Sequence, residues 1–127
     1  MRFMIIVKAT PDSEAGRFPP NPEPLFQAMA AYHEELARAG ALLDASGLQP
    51  SSKGWRVQYE GGKRSIVDGP FTESKEMIAG FTLLQCEGKQ EAIDFAKRWV
   101  EIHVRWSGLG EGEIEVRPLY EPADFGL

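Results

Sequence analysis

The chain has 127 residues, enough for one domain with its own core and too few for a multidomain assembly. Its 43% hydrophobic and 26% charged residues mark a folded globular domain and exclude disorder. Fourteen Lys and Arg against nineteen Asp and Glu leave a net charge of −5, without the basic field that nucleic-acid binding uses. The single cysteine, Cys86, cannot form an internal disulfide. The longest unbroken apolar run, Phe3 to Val7, is far short of the ~20 residues of a membrane span. No membrane contact and a cytoplasmic setting are therefore the expectations, for a single domain over 1–127.

Phe3, Ile5 and Val7 alternate with Met4 and Ile6, so this stretch reads as a strand apolar on both sides, as in the middle of a sheet. Thr10 to Pro24 is rich in Pro, Asn and Gly and reads as a loop containing no helix and no central strand. Pro24 suits a first helical turn, with Asn21 as its cap. Leu25, Met29, Tyr32, Leu36 and Ala39 then follow the spacing of one helical face up to Gly40, a left-handed stop. Ala41 to Leu48 reads as a strand, broken by Pro50-Ser51-Ser52. Trp55, Val57 and Tyr59 alternate with Arg56, Gln58 and Glu60 as a half-exposed strand, which Gly61-Gly62 turns back into Lys63 to Val67. Asp68-Gly69-Pro70-Phe71 is turn chemistry, Thr72 to Glu76 is charged, and Ile78 to Cys86 is a mainly apolar strand. The second helix, from Lys89 to about His103, carries Ala92, Ala96, Trp99, Val100 and His103 on one face. Ser107 to Gly112 is a glycine-rich loop, Glu113 to Leu119 alternates as a last strand, and Tyr120 to Leu127 is a peripheral tail.

Strand, helix, a run of antiparallel strands, helix and strand make an α+β domain of ferredoxin-like type. Its two helices lie on one face of an antiparallel sheet, and it carries an extra hairpin. The other face of the sheet needs a cover. The two-sided first strand, with Trp55, Phe71 and Phe81, points to a second subunit in a twofold homodimer.

Among residues that could carry chemistry, His33 lies roughly 70° from the centre of the first helix's apolar stripe, at the rim of the core. An imidazole there suits general acid–base work, and a boundary histidine satisfied by a backbone carbonyl is the competing reading. Asp68 either caps its own Gly-Pro turn or places a carboxylate beneath the helices, as a base or as the group orienting His33. Gly69 would then admit close backbone approach of a ligand. Ser52 and Lys53, with Ser51 and Arg56, form a small polar cluster able to hold an anion. Lys75 could take an anionic group, and Arg117 is either a substrate clamp or a cross-strand ion-pair partner. His103 suits the end of its helix as a cation, and Cys86 reads as a small buried hydrophobe. Gly108 to Gly112 precedes a strand, not a helix, so it is no phosphate loop. Two histidines 70 residues apart with one cysteine make no metal set, and nothing suggests a cofactor. Trp55, Trp99 and Trp106 read as core and interface.

The run Val67-Asp68-Gly69-Pro70-Phe71-Thr72-Glu73-Ser74-Lys75-Glu76 resembles the signature of the DGPF-type proteins of the YCII-related superfamily. Further similar blocks, in the same order, are Met1 to Ala9, Glu34-Glu35-Leu36 before Ala39-Gly40, Gly47 to Gly54, Ala79-Gly80-Phe81 and Ile114 to Pro118. The resemblance implies a ferredoxin-like α+β fold and a dimer. It places relatives beside extracytoplasmic-function sigma factors, and it extends to one dechlorinating branch and to members with a proposed histidine–aspartate pair. The superfamily's usual histidine position falls near Met29, so its role does not transfer to His33, and Arg98-Trp99-Val100-Glu101 stands where relatives often show Cys-Pro. Two functions follow as expectations. The first is binding of a small polar or anionic ligand in a helix–sheet cleft, with metal-free acid–base chemistry by His33 and Asp68. The second is a non-catalytic sensor or protein-interaction module linked to sigma-factor signalling.

Overall fold

A computed structural model describes residues 1–72, 76–107 and 112–127. Lys75, the rest of the charged stretch at 73–75, and residues 108–111 of the expected glycine loop lie outside the described residues. The elements are β1 (Arg2–Lys8), α1 (Pro11–Glu14), α2 (Glu23–Arg38), β2 (Leu42–Gly47), a 3-10 turn (Ser51–Lys53), β3 (Trp55–Glu60), β4 (Lys63–Asp68), β5 (Ile78–Gln85), α3 (Lys89–Ser107), β6 (Ile114–Pro118) and a second 3-10 turn (Pro122–Phe125).

Four strands form one antiparallel sheet in the order β2-β5-β1-β6, with β1 inside it as its two apolar faces predict. This order, with α2 and α3 packed on one face, is consistent with the expected ferredoxin-like α+β architecture. Phe3 and Ile5 of β1 and Thr82 and Leu84 of β5 are buried beneath Leu25, Tyr32 and Leu36 of α2 and Ala92, Ala96 and Trp99 of α3. Met4 pairs across with Leu83, and Ile6 with Phe81, so these four residues share the opposite face, where all are only partly buried.

Three local expectations are corrected. Thr10 to Pro24 does contain a helix: Thr10 and Ser13 satisfy each other's backbone amides in a capping box, and Pro11 starts the turn. α2 begins at Glu23 with Pro22 as its N-cap and no side-chain cap, so Asn21 does not fill that role. Its end is as read, with Gly40 at φ +73. β3 is not half-exposed. It pairs with β4 alone in a separate two-stranded sheet, and all six residues of each strand are exposed. Period-two alternation supplies an apolar face, and here no described part of the chain covers it. The tail is tied to the start of β1 by Arg2, whose guanidinium donates to both oxygens of Glu121 at 2.9 and 3.2 Å.

The root of the hairpin is a knot of polar contacts. Glu14 of α1 accepts hydrogen bonds from the amide and the hydroxyl of Ser51, and Ser51 Oγ accepts from the amide of Phe71 at 3.1 Å. Gly69 donates to the Gly54 carbonyl at 3.0 Å, and a Cβ on Gly69 would lie 1.9 Å from the Ser51 carbonyl oxygen. Gly69→Ala is expected to cost about 2–3 kcal/mol in chemical denaturation, because the clash is with backbone and not with the end of a flexible side chain. Gly47→Ala, whose Cβ would meet nothing within 4 Å, is expected to stay within about 0.5 kcal/mol of wild type.

Candidate functional site

α2 and α3 cross the same face of the sheet, and between them the aromatic residues stack. Trp99, only 2% exposed, lies against Tyr32 with ring centroids 5.4 Å apart, and His33 and His103 each sit 4.6 Å from its ring. The indole is thus flanked by both histidines of the chain. His33 Nε2 is 3.0 Å from the hydroxyl of Thr82, a side chain 1% exposed at an inward position of β5. His103 Nδ1 donates to the Trp99 carbonyl at 2.9 Å, one turn back on α3. That bond places the proton of a neutral His103 on Nδ1 and leaves Nε2 as an acceptor.

Burial sets the charge state of this cluster. It holds His33 below the usual 6.5, and the facing His103 adds to the depression. Burial also lowers His103, partly opposed by the Trp99 carbonyl. Both rings are therefore neutral near pH 7. Tyr32 donates to the Phe95 carbonyl at 2.6 Å, and its phenol is pushed up to about 12 chiefly by burial, which makes it a fixed neutral strut. Outside it, Arg98 lies 4.9 Å from the Tyr32 ring and grips Glu35 through two nitrogens at 2.9 and 2.5 Å. Among the described residues, Trp99 Nε1 is buried and makes no hydrogen bond. A buried N–H without an acceptor costs free energy that an incoming oxygen would restore.

The other expected residues are distributed elsewhere. Asp68 ends β4 opposite Trp55 and is exposed; no described hydrogen bond or ion pair joins it to His33, whose nitrogen partner is Thr82. Asp68 does not cap its own turn either, because the Gly69 and Phe71 amides go to Gly54 and Ser51. The space beside Gly69 is filled by the chain's own Ser51 and is not open to a ligand. Ser52 and Lys53 are exposed on the 3-10 turn, and the Arg56 guanidinium lies 3.8 Å from the centre of the Phe71 ring. Arg117 pairs with Glu115 at 3.8 Å within β6 itself, so this ion pair runs along one strand and is not the cross-strand one expected; the cross-strand contact to that carboxylate comes from Lys8 of β1 at 3.5 Å. A recess of about 420 Å³ lined by Met1, Gly40, Gln85, Cys86, Glu87 and Glu91, among others, includes none of the expected site residues. Burial raises the Cys86 thiol, in keeping with a small hydrophobe. Among the described residues no three His, Cys, Asp or Glu side chains come together as a metal would need, and no helix is long and apolar enough to cross a membrane.

Thr82 and Trp99 were not singled out as site residues by sequence reasoning. A signal existed for Thr82, the one hydroxyl at an inward position between Gly80 and Leu84. For Trp99 it was the spacing of four to His103 on one helical face. Because both imidazoles titrate below 6.5 when folded, the unfolded chain binds more protons in the window beneath that value. Stability is therefore complete above pH 6.5 and falls as pH drops below it. Thermal melts from pH 7.5 to 5.5 are expected to show this decline, and a His33→Gln/His103→Gln double variant is expected to flatten it.

Residues 1–104 match the YCII-related domain family. An uncharacterized protein of Rhizobium meliloti (strain 1021) is 31% identical over 105 residues, which cover 81% of each chain. The match to the family ends inside α3, so β6, which completes the sheet beside β1, lies beyond it. With the match spanning the two-sided first strand, the hairpin and the whole aromatic stack of Tyr32, His33, Trp99 and His103, the chain belongs to the YCII-related family.

Proposed function

We propose that this protein, as a DGPF-type member of its family, binds a small polar ligand in the seam between α2, α3 and β5. There it handles protons through His33 without a metal. The observation that carries this reading is the buried N–H of Trp99, left without an acceptor beside two neutral imidazoles. An imidazole whose proton affinity has been lowered is unprotonated near pH 7 and free to accept a proton. Thr82, in contact with His33 Nε2, is placed to steady that ring or to relay its proton. In this reading Asp68 belongs to the hairpin root and takes no part in the ionisation of His33. Ser52, Lys53 and Arg117 supply no direct contact to the ligand.

The protein is further proposed to act as a twofold homodimer in the cytoplasm. Support for the dimer is the sheet face away from the helices, where Met4, Ile6, Phe81 and Leu83 form a partly buried apolar strip that no described helix covers. The single cysteine fits a reducing compartment. The second reading, a non-catalytic interaction or sensing module, has the exposed aromatic face of the β3–β4 hairpin on its side.

A ligand-observed NMR screen of small carboxylates, hydroxy acids and carbonyl compounds tests the first reading. Binders are expected to move the His33 and His103 ring resonances and to weaken at least tenfold in Trp99→Phe, which keeps the stack and removes the N–H. Any turnover found is expected to be lost in His33→Gln and to fall on the acid side with an apparent pKa below 6.5. Binding that leaves both histidine rings and Trp99→Phe indifferent would move the site elsewhere. Titration of the two rings separates the remaining alternatives. Asp68→Asn is expected to leave His33 unmoved, whereas His103→Gln is expected to raise its pKa by removing the facing charge.

A further inference from the structure

The β3–β4 hairpin is a ribbon without a core of its own. Trp55, Val57 and Tyr59 share one face with Ile66, and they are 64, 63, 73 and 69% exposed. The other face carries Arg56, Gln58 and Glu60 opposite Val67, Ser65 and Lys63. A two-stranded hairpin is marginal in water unless its apolar face packs on something. No described residue packs on that face, since every residue of both strands is exposed; the root is held by the Ser51 contacts, by the Gly69–Gly54 bond and by Arg56 set over the Phe71 ring. Among the described residues a further apolar surface, only partly buried, is the strip of Met4, Ile6, Phe81 and Leu83 on the sheet face away from the helices.

We infer that the apolar face of the hairpin of one protomer lies across the open sheet face of a second copy of this chain, and that the twofold exchange of these arms holds the dimer together. The inference rests on the homodimer proposed above and names the element that covers the sheet. Three features of the chain support a second copy as the occupant. The first is reach: six residues of strand span about 20 Å, and four strands about 4.8 Å apart make a face of similar width, so one arm crosses the whole sheet. The second is area. Two aromatic and two aliphatic side chains exposed to this extent offer roughly 400 Å² per arm, and an equal area of sheet is covered. A symmetric pair of such contacts buries on the order of 1,600 Å², the size of a stable interface. The third is the placing of charge. The arm's apolar face has Arg64 beside Tyr59 at its tip and Asp68 beside Trp55 at its root. The strip is bordered by Asp44 on β2 and by Glu115 and Arg117 on β6, so both surfaces are apolar at the centre and carry both signs at the rim.

The experiment uses the full wild-type chain. Equal amounts of ¹³C-labelled and unlabelled protein are mixed, and half-filtered NOE spectra are recorded at millimolar concentration alongside sedimentation equilibrium. The expected result is a dimer with intermolecular NOEs from the Trp55 and Tyr59 rings to the methyl groups of Met4, Ile6 and Leu83. In a second arm, Trp55→Ser/Tyr59→Ser is expected to raise the dimer dissociation constant at least 100-fold with the dispersed spectrum of the main sheet retained. Gln58→Ala/Ser65→Ala, on the other face of the ribbon, is expected to leave it unchanged. A dimer in which the arm gives no intermolecular NOE overturns the arm exchange and leaves the dimer standing. A monomer at millimolar concentration overturns both, and arm-to-sheet NOEs that appear only within one protomer mean that the arm folds back on its own chain. The wild-type NOE measurement decides the matter even if the double variant fails to fold.

Discussion

β1 is apolar on both sides and runs between β5 and β6, so the sheet it organises has two faces that repel water. Two helices suffice for one of them. On that side α2 and α3 bury Phe3, Ile5, Thr82 and Leu84, and the helices then meet over Trp99. The seam containing both histidines exists because the helices must converge there to close the core. On the other side no described helix lies over the strip of Met4, Ile6, Phe81 and Leu83, which is only partly buried. The same constraint thus produces a buried aromatic seam holding both histidines on one face and an incompletely covered strip on the other.

The stretch from Asp68 to Phe71 is held for reasons of packing. Ser51 touches it from below with its backbone and donates its hydroxyl to Glu14, while the same oxygen receives the Phe71 amide. Any side chain at residue 69 would enter the Ser51 carbonyl. Three segments distant in sequence, α1, the 3-10 turn and the end of β4, are therefore fastened at one oxygen. A hairpin with no core of its own needs such an anchor to keep a fixed direction. The interpretation of Gly69 as an opening for a ligand gives way to one in which the glycine makes room for the chain itself.

Much of this architecture was legible in the residues. Leu25, Met29, Tyr32 and Leu36 announced α2, Gly40 its end, and the double apolar pattern of Phe3 to Val7 the centre of the sheet. α1 was missed because a capping box of Thr10 and Ser13 can nucleate a single turn in a segment whose composition argues for a loop. The exposure of β3 was missed because alternation reports that a strand has two unlike faces and does not say what meets the apolar one. His33 was read from its angle on the helix, at the rim of the core, and there it lies. Its partner was not readable, because no local rule relates residue 33 to residue 82. The approach of these side chains depends on how a helix settles on a sheet, and a nearby carboxylate such as Asp68 was a guess about that settling.

On the proposed reading, the charge state of the seam also limits what it would recognise. His33 and His103 face each other across one indole, and each is already pressed toward its neutral form by burial. A proton placed on one ring further discourages a proton on the other, so the pair does not form a cationic trap for an anion. The cations first considered for that role lie outside: Lys53 is exposed, and Arg117 is engaged by Glu115. What the seam offers instead is a neutral N–H from Trp99, a hydroxyl from Thr82 and imidazole lone pairs. Neutral donors in a region poor in water discriminate by geometry more than by charge, because each group left unpaired carries its full desolvation cost. A ligand suited to them presents an oxygen to the indole and an exchangeable proton to an imidazole at the same time. That pairing of an acceptor with an acidic hydrogen is found in hydroxy and enolisable carbonyl compounds, the chemistry for which an imidazole that is neutral at physiological pH is a competent base.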